Sequence, residues 1–600
     1  MESGRTAATG WRRNHLVRLM SAYAWRHRLS YAAGAVFLAV TNYLTVSIPV
    51  EIGRAIDGLR AGNPIATIVL AIMAMGFGVI LVRTLSRILI FNPGRHVEYH
   101  LRRDLFAKLL RLQPSFYATH QRGDIVSRAA NDISWVRTLV GYGGLQVMNV
   151  TMAVVLAGWK MIGLSAWLTL LVAVPIVVGM VLVQHSIRRL FALSRQSQEQ
   201  LGEISEHVLG SLQGLAAIQG FVAENAFIDR FEERNRRWLT TSMRIALIRA
   251  VALPLLVLAG GVAMFVLIRV GGGLVLSGAI TVGDLVAFTA LVTVLLPPLR
   301  SLGWMLSVIQ RGRAALERIF ELIDAPVDRP EGEAPSVPAA GAGPAFDLRG
   351  VSFAYPDDPE RPVLADVTAS IPAGTVVGLF GRTGSGKTTL IRLLTRQYNP
   401  PPGTLLVDGV DVTELDLDRW RLRLGVVPQR PFLFSDTIAA NIALDEAPEP
   451  QSVQRAVRLA ALESDLEALP QGLDTVVGER GIMLSGGQRQ RVALARGLFR
   501  GGDVLVLDDV LSAVDHETEA LLVETLVGLS RREGSPTVFI ASHRLSALRH
   551  ADLILVLERG RLVDSGGHRE LVSRPGIYRD TWLAQRAAPA EAAREGVVAS

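Results

Sequence analysis

The chain has 600 residues, more than the roughly 250 to 300 at which a single hydrophobic core stops growing, so at least two domains are expected. It contains no cysteine, which excludes disulfides, thiol catalysis and zinc sites built on thiolates. The formal net charge of +7 comes without a basic stripe interleaved with aromatic residues, so a nucleic-acid partner is not expected. Half of the residues are hydrophobic, and the long apolar runs lie in the first half of the chain.

Six apolar stretches are long enough to cross a bilayer, whose hydrocarbon core takes about 20 residues of helix. They lie at 29–50, 65–91, 140–161, 165–185, 250–270 and 283–307. Segments 95–137 and 186–249 carry eight and nine Lys or Arg residues, which predicts that both are cytoplasmic loops. Both chain termini are then cytoplasmic as well. Apolar residues at three-to-four spacing in these loops predict helices that project from the membrane.

Some charged side chains fall within the predicted spans or at their ends, where charge is costly and often functional. Lys160, His185 and Arg269 are expected to reach the membrane interface with their polar ends. Arg83 and Arg87 lie one helical turn apart in the second span. They face either a water-filled cavity or the cytoplasmic end of that span.

Composition divides the chain further. Residues 1–28 are a basic cytoplasmic lead-in, and 29–324 form the six-helix transmembrane domain. Residues 325–345 are rich in Pro, Gly and Ala and are predicted to be a linker. From 346 to 585, strand-like runs alternate with helical patterns, which predicts an α/β domain with a largely parallel sheet. The Ala-rich tail, 586–600, is predicted to be disordered.

A phosphate-binding motif opens the chemistry of the second domain. The pattern G-x-x-x-x-G-K-[ST] follows a strand-like run and precedes a helical one, the context in which its backbone N–H groups wrap phosphates. The candidate nucleotide-binding residues here are Gly381, Arg382, Thr383, Gly384, Ser385, Gly386, Lys387, Thr388 and Thr389. Lys387 would reach the β- and γ-phosphates of ATP, and the Thr388 hydroxyl would bind Mg²⁺. Asp508, at the end of an apolar strand, supplies the carboxylate that such a metal needs.

The sequence Leu-Ser-Gly-Gly-Gln lies between these motifs, and with it the chain resembles the ABC transporters, in particular exporter-type half-transporters. The residues concerned are Ser485, Gly486, Gly487 and Gln488. In that family this segment closes over ATP bound to the opposite subunit. The resemblance therefore implies a second half-transporter as partner and two composite ATP sites. It extends into the first half at 123–133 and 280–288.

The resemblance also implies roles for single residues. Tyr355 is similar to the aromatic residue that stacks on adenine. Gln429 resembles the glutamine that contacts Mg²⁺ and the attacking water, and His543 resembles the switch histidine that bonds the γ-phosphate. Residues 512–515 resemble the D-loop, and 476–481 resemble the segment that contacts the inner loops of the membrane domain.

One position departs from the family pattern. Family members that are competent at both ATP sites carry Glu after the Mg²⁺-binding Asp, whereas this chain carries Asp509. Its carboxylate is withdrawn by about one C–C bond, about 1.5 Å. We therefore expect slow hydrolysis at the site built on this phosphate loop, as in one subunit of a heterodimeric exporter. A homodimer in which Asp509 acts as a poorer base is the alternative.

The function expected from the sequence is ATP-driven transport by alternating access, with export of an amphipathic or hydrophobic compound. An importer or a homodimeric lipid or peptide transporter on the same fold is the alternative, while a soluble cassette ATPase is excluded by the six spans. ATP and Mg²⁺ are the expected cofactors, and membrane lipid is an expected contact. High Ala, Arg and Gly content predicts the plasma membrane of a bacterium.

Overall fold

The computed structural model describes residues 15–327, 343–444, 449–478, 482–510, 516–530 and 534–585. These residues form two compact units. The first comprises the chain up to Leu110 together with Gly123–Ala325, and the second comprises Arg111–Arg122 and the described residues from Pro326 onward. The predicted tail, most of the predicted linker, the D-loop segment 512–515 and residues 479–481 lie outside the described residues.

The first unit is helical. Its α-helices are α1 (Arg28–Arg60), α2 (Ala66–Leu109), α3 (Pro114–Thr119, grouped with the second unit), α4 (Arg122–Ser127), α5 (Ile133–Thr138), α6 (Gly144–Leu164), α7 (Ala166–Gln213), α8 (Leu215–Gly220), α9 (Glu224–Leu276) and α10 (Val282–Ile323). Among the described residues, six helices are long and apolar enough to cross a membrane, by length and composition. The predicted six-helix fold class is thus confirmed.

Several of these helices are much longer than a bilayer requires. Helices α2, α7 and α9 contain 44, 48 and 53 residues. At 1.5 Å per residue, even the shortest is about 66 Å long, against a hydrocarbon core of about 30 Å. Their surplus length coincides with the basic loops predicted to be helical, and Arg83 and Arg87 lie exposed on α2.

Helices α1 and α10 approach each other closely near one end. A Cβ added to Gly53 would collide with the carbonyl oxygen of Gly283 and lie 2.9 Å from its carbonyl carbon. Asp57 of α1 fixes this end, because its carboxylate accepts hydrogen bonds from the Thr281 hydroxyl (2.6 Å) and the Gly283 N–H (2.8 Å). Thr281 also caps α10 in a reciprocal box with Asp284.

A charge pair ties the opposite end of α10 to the segment before α5. The buried carboxylate of Asp132 accepts two hydrogen bonds from the Arg318 guanidinium, at 2.7 and 2.5 Å. Bidentate pairs of this kind fix orientation as well as distance. Asp132 belongs to the stretch 123–133 on which the family resemblance extends into the first half of the chain.

The second unit contains two sheets. Its strands are β1 (Phe346–Phe353), β2 (Leu364–Ile371), β3 (Val376–Phe380), β4 (Leu405–Val407), β5 (Val410–Asp411), β6 (Leu424–Val427), β7 (Val504–Asp508), β8 (Thr537–Ser542), β9 (Leu553–Glu558) and β10 (Arg561–Gly566). The larger sheet has the order β10-β9-β3-β8-β7-β6, in which all pairings except β10 with β9 are parallel. The smaller sheet, β2-β1-β4-β5, is antiparallel.

The remaining α-helices belong to the second unit. They are α11 (Lys387–Leu394), α12 (Leu417–Leu422), α13 (Ile438–Ala443), α14 (Pro450–Leu459), α15 (Glu463–Glu467), α16 (Gly486–Arg500), α17 (His516–Ser530), α18 (Leu545–Leu548) and α19 (His568–Ser573). Every residue of β3, β7 and β8 is buried, as expected for parallel strands covered on both faces. The carboxyl ends of these strands therefore meet at one edge, where a ligand site is expected.

Replacement of Gly53 by alanine tests the close helix contact. We expect Gly53→Ala to lower the free energy of unfolding by about 1 to 3 kcal/mol, because a backbone carbonyl cannot move aside as a side chain can. The midpoint of thermal unfolding in detergent measures it. Gly272→Ala is the matched control, since a Cβ there meets nothing within 4 Å. Equal midpoints for the two variants would contradict the contact.

Candidate nucleotide-binding site

A pocket of about 190 Å³ lies at the carboxyl ends of β3, β7 and β8. It is lined by Val363, Thr383, Gly384, Ser385, Gly386, Lys387, Thr388, Thr389, Gln429, Asp508, Asp509 and His543. Apart from Val363, each of these was singled out from the sequence. The structure therefore brings together lining residues that are as much as 180 positions apart in the chain.

The loop from Gly381 to Gly386 has a backbone that only glycine accommodates at its key points. Gly386, which precedes the first residue of α11, has φ +104°, and a Cβ there would lie 2.6 Å from Leu364 Cδ2. A Cβ at Gly381 would collide with the carbonyl oxygen of Leu557. The hydroxyl of Ser385 is buried and has no hydrogen-bond partner among the described residues. The loop thus offers a free donor and a helix N-terminus, which fit a phosphate group.

Lys387 closes over this loop. Its ammonium donates hydrogen bonds to the carbonyl oxygens of Gly381 (2.7 Å) and Arg382 (3.2 Å), which do not line the pocket themselves. Burial lowers the pKa of Lys387, while the nearby carboxylates of Asp509 and Asp508 act in the opposite direction. A terminal phosphate would supply the charge compensation that these carbonyls supply in part.

Asp508 and Thr388 form the candidate metal centre. The Thr388 hydroxyl donates to Asp508 Oδ1 at 3.3 Å, and Asp508 is 5% exposed. Burial raises the pKa of Asp508, and the adjacent Asp509 raises it further, whereas the Thr388 hydrogen bond lowers it. Hydroxyl and carboxylate oxygens are ligands that Mg²⁺ accepts together with phosphate oxygens, so this donor set fits the ion.

Asp509 is held in an unusual conformation beside this centre. Its φ of +52° lies in the left-handed region, which costs a non-glycine residue about 1 to 3 kcal/mol. Its N–H donates to the Ala541 carbonyl (2.9 Å), and its own carbonyl accepts from Gln490 Nε2 (3.3 Å). The carboxylate receives Gln429 Nε2 at 3.3 Å on one oxygen and lies 3.0 Å from His543 Nδ1 on the other.

Tyr355 lies beside the phosphate loop but does not line the pocket. Its hydroxyl is 3.0 Å from the Thr389 hydroxyl and accepts a hydrogen bond from Arg392 at 3.0 Å. Its ring meets Tyr398 edge-on, with centroids 5.1 Å apart. Stacking of Tyr355 on adenine stays a prediction.

The residues Ser485, Gly486, Gly487 and Gln488 do not line this pocket. Ser485 is exposed and caps α16, with its hydroxyl accepting from the Gln488 N–H while Gln488 reaches back to the Ser485 N–H. Gln488 Nε2 also donates to Asp465 of α15 at 3.2 Å. The glycine-rich turn at the start of α16 is therefore presented on the surface, where it can meet another molecule.

Two contributions could not be found from the sequence. Val363 enters the pocket from the connection between β1 and β2, and no local pattern distinguishes it from an ordinary apolar residue. Gln490 bonds the backbone of Asp509 through a fold-dependent contact between residues 19 apart.

The comparisons with known proteins agree with this geometry. Residues 31–299 match the family described as ABC transporter transmembrane region, and 364–512 match ABC transporter. A probable multidrug resistance ABC transporter ATP-binding/permease protein, YheI of Bacillus subtilis, is 34% identical over 94% of this chain and 96% of its own length. An ATP-dependent lipid A-core flippase of Chromohalobacter salexigens is 33% identical over 95% and 97%. The structure of a bacterial Atm1-family ABC exporter with ATP bound has a TM-score of 0.76 at 27% identity, covering 92% of this chain and 98% of that one.

Replacement of Thr388 by valine tests the metal centre, because it removes the hydroxyl and keeps the shape. We expect Thr388→Val to weaken ATP binding by at least about tenfold when Mg²⁺ is present and to leave binding in EDTA unchanged. Equilibrium binding of a fluorescent ATP analogue measures both. Thr395→Val is the control, since the Thr395 hydroxyl bonds only backbone carbonyls. Equal losses with and without Mg²⁺ would contradict the assignment.

Proposed function

This chain belongs to the ABC transporter family, and we propose that it is one half of a dimeric exporter whose own ATP site hydrolyses slowly. The family supports ATP hydrolysis coupled to transport by a multi-pass membrane protein. In the proposed assignment, Tyr355 and residues 381–389 bind ATP, and Thr388, Gln429 and Asp508 hold Mg²⁺. The domain limits predicted from composition are part of the same proposal, with both termini in the cytoplasm of a bacterial cell.

A dimer is supported by the separation of two half-sites within the chain. The phosphate-loop pocket contains no residue of the 485–488 turn, and Ser485 is exposed at the surface. Helices α7 and α9 pack on each other, while their connecting tip exposes Phe221 and Val222 at 85% and 84%. Large exposed apolar residues at a soluble loop indicate a contact surface. A second half-transporter would cover both features.

The observation that carries the slow-site proposal is the position of Asp509. Its side chain is one methylene shorter than Glu, so its carboxylate stands about 1.5 Å further from the phosphate loop. The carboxylate is also engaged by His543 and Gln429, the two groups that would otherwise bond the γ-phosphate and the attacking water. A displacement of about 1 Å can cost about 10²-fold in rate. ATP would then be held at this site rather than rapidly turned over.

A partner with its own Glu would complete the function. This chain has an intact Leu-Ser-Gly-Gly-Gln turn, which would serve the ATP site of the partner. The partner's turn, facing the slow site, can be degenerate without loss of transport. In a homodimer, by contrast, both sites would carry Asp509, and overall turnover would be low.

Lengthening residue 509 tests this proposal. We expect the purified chain in lipid to hydrolyse ATP slowly and Asp509→Glu to raise kcat by about 10²-fold, because the carboxylate regains its reach. Steady-state phosphate release measures the effect, and Asp474→Glu, at an exposed position, controls for the added methylene. Robust turnover of the unchanged chain, abolished by Asp509→Asn, would refute the slow site and favour the homodimer.

Arginines and aromatic rings in the first unit favour an amphipathic substrate with an anionic head group. Arg83 and Arg87 share a face of α2 with Phe91, by their four-residue spacing. Phe91 stacks on Tyr142 (6.2 Å), which meets Trp304 of α10 edge-on (4.7 Å).

Arg300, four residues before Trp304, extends this polar and aromatic stripe. Arg83, Arg87 and Arg300 are exposed and have no carboxylate partner among the described residues. Unpaired arginines within predicted spans require a counter-charge or water, and an anionic amphipath supplies the charge together with an apolar body.

Neutralising these arginines tests the head-group preference. We expect Arg87→Gln and Arg300→Gln each to raise about tenfold the concentration of dodecyl phosphate that half-maximally stimulates ATP hydrolysis, since each removes a charged hydrogen bond. Stimulation by a cationic amphipath of equal chain length should stay the same. Arg269→Gln, at an exposed arginine of α9, is the control. A similar shift for both amphipaths would contradict the preference.

A further inference from the structure

Helix α16 connects two functional elements that serve different ATP molecules in a dimer. Its N-cap is Ser485, which belongs to the signature turn (residues 485–488) that in the family faces ATP on the opposite subunit. Its second turn carries Gln490, whose side-chain amide donates to the carbonyl oxygen of Asp509 at 3.3 Å. Asp509 lies in the pocket of this chain's own phosphate loop. Ser485 and Gln490, which would serve the two different ATP sites, are thus only five positions apart in the chain.

The hydrogen bond between Gln490 and Asp509 can pass a shift of α16 on to the Asp509 backbone. Gln490 is 4% exposed, so its amide has little access to water as an alternative partner. On the surface side, Gln488 and Arg491 both bind Asp465, at 3.2 and 2.7 Å. The start of α16 is therefore held from two directions, by Asp465 outside and by the Asp509 backbone inside. A displacement of its first turn moves both.

Asp509 is sensitive to such a displacement. Its left-handed backbone is strained and persists because its surroundings hold it, with Ala541 on the N–H and Gln490 on the carbonyl. The side-chain amide of Gln490 thus links the Asp509 backbone to the helix that begins at the signature turn. Loss of that bond would let the peptide after Asp509 rotate and would move the carboxylate.

We propose that Gln490 is a positioning residue that couples the two ATP sites of the dimer: ATP bound against this chain's signature turn draws α16 into place, and Gln490 then orients Asp509 for hydrolysis at this chain's own site. This rests on the proposed dimer. It adds that the hydrogen bond from Gln490 to the Asp509 carbonyl carries the effect of the opposite ATP to this chain's own site.

The test uses the full-length dimer in lipid, with ATP withheld from one site. The other chain of the dimer carries a substitution of its phosphate-loop lysine, so that ATP binds only at this chain's Lys387. Single-turnover hydrolysis of radiolabelled ATP then measures the remaining site, however slow it is. We expect its rate to fall about fivefold relative to a doubly occupied dimer in which the catalytic Glu of the other chain is replaced by Gln, so that in both dimers only this chain's site hydrolyses ATP.

Gln490→Met keeps the length and burial of the side chain and removes the donor. With both sites occupied, it should lower the rate about fivefold while the KM for ATP changes less than twofold, because the phosphate loop is untouched. With one site empty, it should cause no further loss. Gln454→Met, at an exposed position of α14, should behave as the parent in both states. If Gln490→Met fails to fold, Gln490→Leu serves instead.

The proposal would be overturned if the hydrolysis rate of Gln490→Met still fell fivefold when the opposite site is empty. It would also be overturned if the parent dimer showed no such fall. A rise in the KM for ATP as large as the loss in rate would also overturn it, because the substitution would then have disturbed the ATP pocket itself. The ratio of the two rates does not depend on how slow the Asp509 site is. A fast Asp509 site would therefore refute the slow-site proposal and leave this one standing or falling by itself.

Discussion

The end of strand β7 is the constraint on which the catalytic unit depends. The strand is buried along its whole length between parallel neighbours, so its direction cannot change, and it delivers two consecutive carboxylates to one edge of the sheet. The first, Asp508, is buried and accepts a hydrogen bond from the Thr388 hydroxyl. The second, Asp509, lines the same pocket, and its backbone lies in the left-handed region. Two adjacent acids thereby have different hydrogen-bond partners, Thr388 for the first and Gln429 and His543 for the second.

The sheet holds one part of an ATP site and a surface turn holds another, which explains why one chain does not complete the site by itself. The phosphate loop and both carboxylates are rigidly positioned by β3 and β7, whereas the signature turn lies on the surface at the start of α16. Nothing in the pocket supplies a cap for the γ-phosphate from this turn. A second nucleotide-binding unit is the simplest source of that cap. Helices α7 and α9 of the first unit are separately notable because they are much longer than a bilayer requires.

The features that could be predicted from the sequence are those set by residues close together in the chain. Six apolar runs, a glycine-rich loop between a strand and a helix, and an acid at a strand end each depend on neighbouring residues. What sequence could not predict depends on chain segments meeting in space. The hydrogen bond from Gln490 to Asp509, the entry of Val363 into the pocket and the return of Lys387 to its own loop carbonyls are of this kind. The substitution at Asp509 was visible in sequence, but its engagement by Gln429 and His543 was not.

We propose that this chain's own site retains ATP. The most direct measurement is the identity of the nucleotide that stays bound to this chain after the active dimer has turned over Mg²⁺-ATP and been separated rapidly from free nucleotide. A photoreactive ATP analogue labelled separately on the base and on the γ-phosphate distinguishes the triphosphate from the diphosphate. We predict that the triphosphate predominates on this chain. Diphosphate in its place would contradict a slow site, because Asp509 would then be an effective base.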